Sequence, residues 1–194
     1  VATFPYSGLQ ARLITEIQRT TGLDVRVADW SVGLPLALEW RQVTVSKQDW
    51  LPIQIGMVRA QVGVLKLLAG GMKVDVLAQV DEASSGQGTF SSTMTASSWS
   101  QNGPVSVTGQ LRQVDLSKLV RPYVSRGTVT GEFTHRVTDR TDASSGEGTW
   151  KAEARDVLLE QIPLGNGRTM ALTFSTISLG MTCRRSVCDV TELK

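Results

Sequence analysis

The feature of this sequence that most restricts its fold is a two-residue hydrophobic period, which begins at residue 23 and recurs in short runs to the C-terminus. Successive side chains of a β-strand point to opposite faces of a sheet, so this period predicts strands with one buried and one solvated face. Turn signals rich in Gly, Asn and Ser separate the runs, which is typical of antiparallel hairpins. The apolar positions are Leu23, Val25, Val27; Leu34, Leu36, Leu38, Trp40; Val43, Val45; Ile53, Ile55, Met57; Val62, Val64; Met72, Val74, Val76, Ala78, Val80; Val105, Val107, Leu111; Val129, Phe133; Met170, Leu172, Phe174; and Ile177, Leu179, Met181.

One of these runs changes parity. Its apolar residues fall on even positions through residues 34–40, and then on the odd positions Val43 and Val45. A shift of one residue exchanges the two faces of a strand, so we expect a bulge or a turn near Arg41. Pro35 has no N–H to donate to a sheet, which places it at a strand end or on an edge strand.

A helical period occurs once at length, over residues 7–21. Ser7 can cap its N-terminus and Gly22 stands where a left-handed C-cap is expected. We expect this helix to pack on the sheet with an apolar stripe; a membrane-surface helix is the alternative, which the narrow stripe without Trp or Phe disfavours. The stripe consists of Leu9, Leu13, Ile14 and Ile17.

The expected fold is therefore mainly β, a single domain over residues 1–194. Residues 23–194 are expected to form a long curved or rolled antiparallel sheet, with the one N-terminal α-helix packed against it. Residues 115–120 have the pattern of a single helical turn. Residues 83–90 and 143–150 are nearly identical, which indicates either two convergent hairpin turns or a repeated sheet module with a 60-residue offset.

Composition excludes several functions. The net charge of this 194-residue chain is +2 and its charges are scattered, so no basic surface for nucleic acid is expected. A single His and two Cys are too few for a metal site built from those residues, and no cofactor is expected. No Gly-x-Ser-x-Gly elbow is present, and the lone His135 is interpreted as a surface residue. We therefore expect no enzyme activity.

The two cysteines, Cys183 and Cys188, are separated by four residues. Directly opposed residues of an antiparallel pair have Cα atoms about 4.5–5.5 Å apart, which is within disulfide range. The spacing therefore predicts a hairpin closed by a disulfide, and with it an oxidising compartment, the periplasm or the cell exterior. The alternative is two reduced cysteines in a cytosolic protein.

Two further sets of residues could bind a partner. Lys118, Arg121 and Arg126 flank the short helical turn and form a candidate partner-binding rim, although such a cluster is ordinarily a solvated surface. The five tryptophans are interpreted as packing residues. If their rings are coplanar and exposed, the alternative is that they bind carbohydrate by stacking on it. They stand at positions 30, 40, 50, 99 and 150.

Several segments carry a resemblance to a known family. Residues 19–30 and 36–45 resemble the helix, Thr-Gly turn and paired strands that open AsmA-like proteins. Residues 107–119 resemble the family's strand followed by Asp-Leu-x-x-Leu, and residues 127–133 resemble its next strand. With Phe4-Pro5-Tyr6 before the helix, the chain is most similar to the branch formed by protein N of the type II secretion system, GspN.

The resemblance implies a location and a function. It implies an inner-membrane anchor preceding Val1 and a body in the Gram-negative periplasm, which contacts other type II secretion subunits during protein export. It brings no catalytic residue. The alternative is a lipid-binding or lipid-transfer module that carries lipid between the inner and outer membranes in an apolar groove. A secreted carbohydrate-binding module is a third hypothesis.

Overall fold

The computed structural model describes residues 6–47, 52–80, 88–98, 103–119, 124–139, 145–163, 169–185 and 187–194. Ten strands form one antiparallel sheet in which the spatial order is the chain order, so each strand pairs with the strand that precedes and the strand that follows it. The sheet is open, with the first and last strands at its two edges, and the expectation of a mainly β antiparallel fold is confirmed. The elements are α1 (Tyr6–Thr21), β1 (Asp24–Gly33), β2 (Ala37–Ser46), β3 (Ile53–Val62), α2 (Val64–Leu68), β4 (Met72–Gln79), β5 (Thr89–Ala96), β6 (Val105–Asp115), α3 (Leu116–Leu119), β7 (Val124–Val137), β8 (Gly146–Pro163), β9 (Thr169–Arg184) and β10 (Val187–Leu193).

Helix α1 agrees with the predicted helix to within one residue. Gly22 ends it at φ 69°, and its N–H donates to the Gln18 carbonyl at 2.9 Å, as in a left-handed cap. The helix contacts β1, and Ile14 and Ile17 of the predicted stripe are half-buried. Among the described residues, no helix combines the length and the apolar character that crossing a bilayer requires.

The first hairpin differs from expectation. Leu34 and Leu36 lie in the turn between β1 and β2 rather than in a strand, and β2 begins at Ala37. Pro35 cannot donate to a ladder, so the chain turns around it, and the Leu36 N–H donates to the Gly33 carbonyl at 3.2 Å. The prediction that Pro35 marks a strand end is confirmed. The prediction that the run over residues 34–40 is one continuous strand is wrong.

The parity changes have a common backbone signature. Gln42, Gln113 and Asp156 adopt left-handed conformations with φ of 50°, 47° and 52°. Each is followed directly by a deeply buried valine: Val43 is 2% exposed, Val114 1% and Val157 3%. At Gln113 and Asp156 the register shifts, as in a β-bulge that re-aims the following side chain. Near Arg41, where a bulge or a turn is expected, Gln42 is left-handed, but β1–β2 and β2–β3 pair in the same register on both sides of it, so no residue is inserted there.

The register of the central strands separates an apolar face from a polar face. One set of cross-strand partners from β4 to β9 consists of apolar or small residues, and we call it the apolar row. A second set, on the opposite face, has a threonine in every strand from β5 to β9, and we call it the polar row. Cross-strand threonine pairs of this kind each stabilise a sheet by about 0.2–1 kcal/mol. The apolar row is Ala78, Phe90, Leu111, Gly131, Ala152 and Leu179, and the polar row is Asp75, Thr93, Thr108, Thr134, Thr149 and Thr182.

The sheet is curled at the end where α1 and α3 lie, which we call the helix end. Helix α3 matches the predicted helical turn, and it contacts both β7 and β3. In a flat sheet those two strands would be about 19 Å apart, farther than one helical turn spans, so the sheet must bend around α3. The buried valines Val25, Val43, Val114, Val124 and Val157 lie at this end, whereas the buried alanines Ala37 and Ala96 lie at the opposite end of the sheet.

Away from that core, the sheet is a single layer. The chain exposes 13041 Å², whereas a compact globular chain of this mass exposes about 9,000 Å². Most apolar residues in the central strands are only half-buried, because nothing in the described chain forms a second layer over them. The fold therefore leaves an unusually large surface available for contacts.

Candidate binding surfaces

The predicted disulfide between Cys183 and Cys188 is confirmed. The two residues oppose each other in the β9–β10 ladder, with Cα atoms 4.0 Å apart. Every residue of β10 is exposed, so this edge strand gains little from burial. Its attachment to β9 depends on the backbone ladder and on this covalent bond. A disulfide is compatible with an oxidising compartment.

Removing the disulfide should loosen β10 selectively. In the chain-entropy model, closing so short a loop contributes about 2 kcal/mol, so Cys183→Ser with Cys188→Ser should lower the free energy of unfolding by about that amount. Amide hydrogen exchange should accelerate most in β10 and least in β7. Equal acceleration in β7 and β10 would contradict the assignment of the disulfide to the edge strand.

The candidate partner-binding rim is placed only in part. Lys118 is half-buried on α3, and Arg126 is exposed near the start of β7, which α3 contacts. Both therefore lie at the helix end of the sheet. Arg121 lies outside the described residues. The rim remains a prediction.

The polar face carries a charged depression of about 620 Å³ across β6–β10. Glu132 and Lys151 are direct cross-strand partners on this face. Charges of both signs line the depression together with apolar residues such as Leu111 and Leu179, so it suits a surface of mixed polarity. Its principal lining residues are Gln110, Arg112, Glu132, Lys151, Glu153 and Glu192.

Asp75 is the β4 member of the polar row, and its pKa is lowered. The Thr93 hydroxyl donates to its carboxylate at 2.6 Å, and Lys73 Nζ lies 2.9 Å from the other carboxylate oxygen. The hydrogen bond from Thr93, followed by the one from Lys73, lowers the pKa of Asp75. Both partners favour the ionised carboxylate, so this cluster is a structural clamp between β4 and β5.

This clamp should make the protein sensitive to acid. Because the pKa of Asp75 is lower in the folded state than in the unfolded state, its stabilisation is present above the unfolded carboxyl pKa of about 3.9 and is lost as the pH falls through the folded value. Thr93→Val removes the leading cause, so the loss of stability below about pH 4 should become shallower. Urea unfolding at a series of pH values tests this. An unchanged pH dependence in both Thr93→Val and Asp75→Asn would contradict it.

Three aromatic rings stack across the apolar face. The Phe90 and Phe133 centroids are 6.0 Å apart at an interplanar angle of 7°, and those of Phe133 and Trp150 are 4.5 Å apart at 12°. Phe133 lies over Gly109, where a Cβ would overlap its ring. The rings contact one another face to face, so they do not form a flat platform of the kind that sugar stacking requires. The carbohydrate hypothesis gains no support from them, and Trp50 and Trp99 lie outside the described residues.

The nearly identical segments lead into this stack. Phe90 closes the first segment and Trp150 the second, and both contribute rings to it. Their strands β5 and β8 run in opposite directions, because three antiparallel pairings separate them. The described part of each copy therefore enters the sheet from opposite ends, which favours convergent turns over a repeated module. Residues 83–87 and 143–144 lie outside the described part of the chain.

The described residues contain no candidate metal centre. Among them, no three His, Cys, Asp or Glu side chains are close enough together to hold a metal ion. His135 is half-buried in β7 and pairs with Val107 and Gly148 across the ladder, so it belongs to the apolar face rather than to the surface.

Sequence reasoning missed a cluster of exposed leucines at the end of the sheet opposite α1 and α3, which we call the distal end. There the β1–β2 turn is bonded to the end of β3, which leads into α2: the Val62 N–H donates to the Leu36 carbonyl at 3.1 Å. Leu34, Leu65 and Leu68 are 95%, 84% and 80% exposed. The signal was the density of leucines around residues 34–36 and 64–68, of which the two-residue period had assigned Leu34, Leu36 and Val64 to strands.

The described residues thus define a class of protein, an open single-layer antiparallel meander with β1 and β10 as its edge strands and a disulfide that joins β10 to β9. Comparison of the chain with protein-family models, with curated proteins and with solved structures finds no match.

Proposed function

We propose that this chain is a non-enzymatic periplasmic component of the type II secretion system, which acts in protein export through protein–protein contacts. The proposal combines the resemblance of residues 19–30, 107–119 and 127–133 to AsmA-like proteins of the GspN branch with one structural observation. That observation is the open ten-stranded layer, in which no other described strand pairs with the outer sides of β1 and β10.

Free edges support a contact function for a physical reason. An unpaired strand edge presents alternating N–H and C=O groups, which an extended strand of another subunit can satisfy. The chain also exposes more surface than a compact chain of its mass. This supports a contact function, because a partner that covers the surface would bury apolar area. The disulfide on β10 supports an oxidising compartment such as the periplasm.

Site-specific photo-crosslinking in secreting cells tests the proposal. A photoreactive amino acid at Ala28 on edge strand β1, or at Asp189 on edge strand β10, should crosslink to a type II secretion subunit. The matched control is the same amino acid at Thr130, which is exposed in the middle of the sheet on β7. Crosslinks to secretion subunits from the edges but not from Thr130 are expected. Absence of secretion subunits among the edge crosslinks would refute the proposal.

A lipid-binding or lipid-transfer module is the second candidate, and one observation favours it. The apolar face of the central strands is only half-buried, and its margin on β8 and β9 is exposed at Trp150, Met170 and Leu172. Acyl chains could cover such a face. Native mass spectrometry of protein isolated without detergent distinguishes the candidates: bound phospholipid together with no edge crosslinks would favour lipid transfer.

A further inference from the structure

The exposed leucines of the distal end form one patch, which we call the distal leucine patch. Val32 lies at the end of β1, Leu34 and Leu36 lie in the β1–β2 turn, and Leu65 and Leu68 lie on α2. Besides the three most exposed leucines, Leu36 is 55% and Val32 42% exposed. The Val62 N–H donates to the Leu36 carbonyl two residues before α2 begins, which brings the two sets of exposed apolar residues to the same end of the sheet. A cluster of exposed apolar residues is typical of a protein or membrane interaction site.

The patch projects outward instead of lining a groove. Leu65 and Leu68 are three residues apart, so they lie on the same side of α2, whereas Val64 and Leu67 of the same helix are half-buried against the sheet. Side chains that are more than three-quarters exposed suit a lipid interface, because lipids can rearrange around them. A rigid protein partner would need a matching cavity for each one.

The charged residues near the patch indicate which kind of lipid surface it would bind. Residues 31–38 and 62–72 contain one charged residue, Lys66, and no carboxylate. Within the described part of the chain, Lys66 has no ion-pair partner. Leucines beside an unpaired lysine are the combination that binds the interface of an anionic bilayer, because the leucines enter the acyl boundary while the lysine stays at the headgroups.

We propose that the distal leucine patch inserts into the interface of an anionic lipid bilayer. The inference does not depend on the secretion function, since it rests only on the exposure, adjacency and charge of the two segments. Helix α1 lies at the opposite end of β1, about 33 Å away for a ten-residue strand.

Vesicle cosedimentation of the full chain tests this. The wild type should bind vesicles made of equal parts phosphatidylcholine and phosphatidylglycerol more tightly than vesicles of phosphatidylcholine alone. Leu34→Ser with Leu65→Ser should weaken binding to both by at least about tenfold, because each leucine loses its burial in lipid. Lys66→Gln should weaken binding to the anionic vesicles by about fivefold and leave binding to phosphatidylcholine unchanged.

The matched control is Val190→Ser with Leu193→Ser, two apolar residues of β10 that are 61% and 72% exposed. This variant should bind like the wild type. Circular dichroism verifies that each variant is folded. The proposal is overturned if the wild type does not bind anionic vesicles, or if patch and control variants bind equally. It is also overturned if sedimentation velocity without lipid shows a dimer that the patch variant loses, since a second copy would then be the occupant.

Discussion

Gly127→Ala is expected to lower the free energy of unfolding by about 3 kcal/mol, from backbone strain and steric overlap together. Gly127 is buried at the start of β7 with φ 145°, a conformation that L side chains rarely adopt. A Cβ there would lie 3.2 Å from Val157 Cα and 3.4 Å from Leu116 Cδ1. The substitution would therefore push α3 and β8 apart at the point where the sheet curls.

Gly70→Ala is the matched control for this experiment. Gly70 also has a positive φ, 79°, but nothing lies within 4 Å of the position of its Cβ. It should cost about 1 kcal/mol from backbone strain alone. Urea unfolding followed by far-ultraviolet circular dichroism gives both values. Equal losses in the two variants would show that close packing around Gly127 contributes nothing to stability.

Phe133→Ala is expected to lower the free energy of unfolding by about 3 kcal/mol, because it removes a large half-buried ring together with two stacking contacts. Phe133 is the central ring of the stack, and it covers the backbone at Gly109. Losing it would expose that backbone and leave Phe90 and Trp150 without a common neighbour.

Phe133→Leu separates the stacking energy from the burial. Leucine retains most of the apolar volume but has no ring, so the loss should fall to about 1 kcal/mol. The near-ultraviolet circular dichroism signal of Trp150 should change in both variants. If the alanine variant is no less stable than the leucine variant, burial of this ring does not support the sheet.

Both predictions concern the interior of one layer, whereas the proposed functions concern its boundaries. A layer held together by a small core at the helix end and by an aromatic stack in the middle can remain folded while its edges and its distal end stay uncovered. This division allows edge contacts and the distal leucine patch to be altered by substitution without loss of the fold. It is the reason that the crosslinking and vesicle experiments can use the whole chain.

Several features were determined by the sequence alone, because they depend on neighbours a few residues apart. The two-residue period predicts strands, Gly22 and Pro35 predict ends of elements, and the spacing of Cys183 and Cys188 predicts a bridged hairpin. The parity change near Arg41 predicts a bulge or a turn, and a left-handed residue, Gln42, stands there without a register shift. The same signal stands at Gln113 and Asp156, where it would have predicted the bulges that direct Val114 and Val157 into the core.

Other features were decided only by the tertiary structure. A period of two tells which residues share a face, but not whether another part of the chain covers that face, since coverage depends on residues far apart in sequence. The contact of α3 with β3, the stacking of Phe90, Phe133 and Trp150, and the exposure of Leu34 beside Leu65 all arise from how strands assemble. Local patterning determined the strands, and the long-range pairing of those strands decided which apolar residues are buried and which remain in solvent.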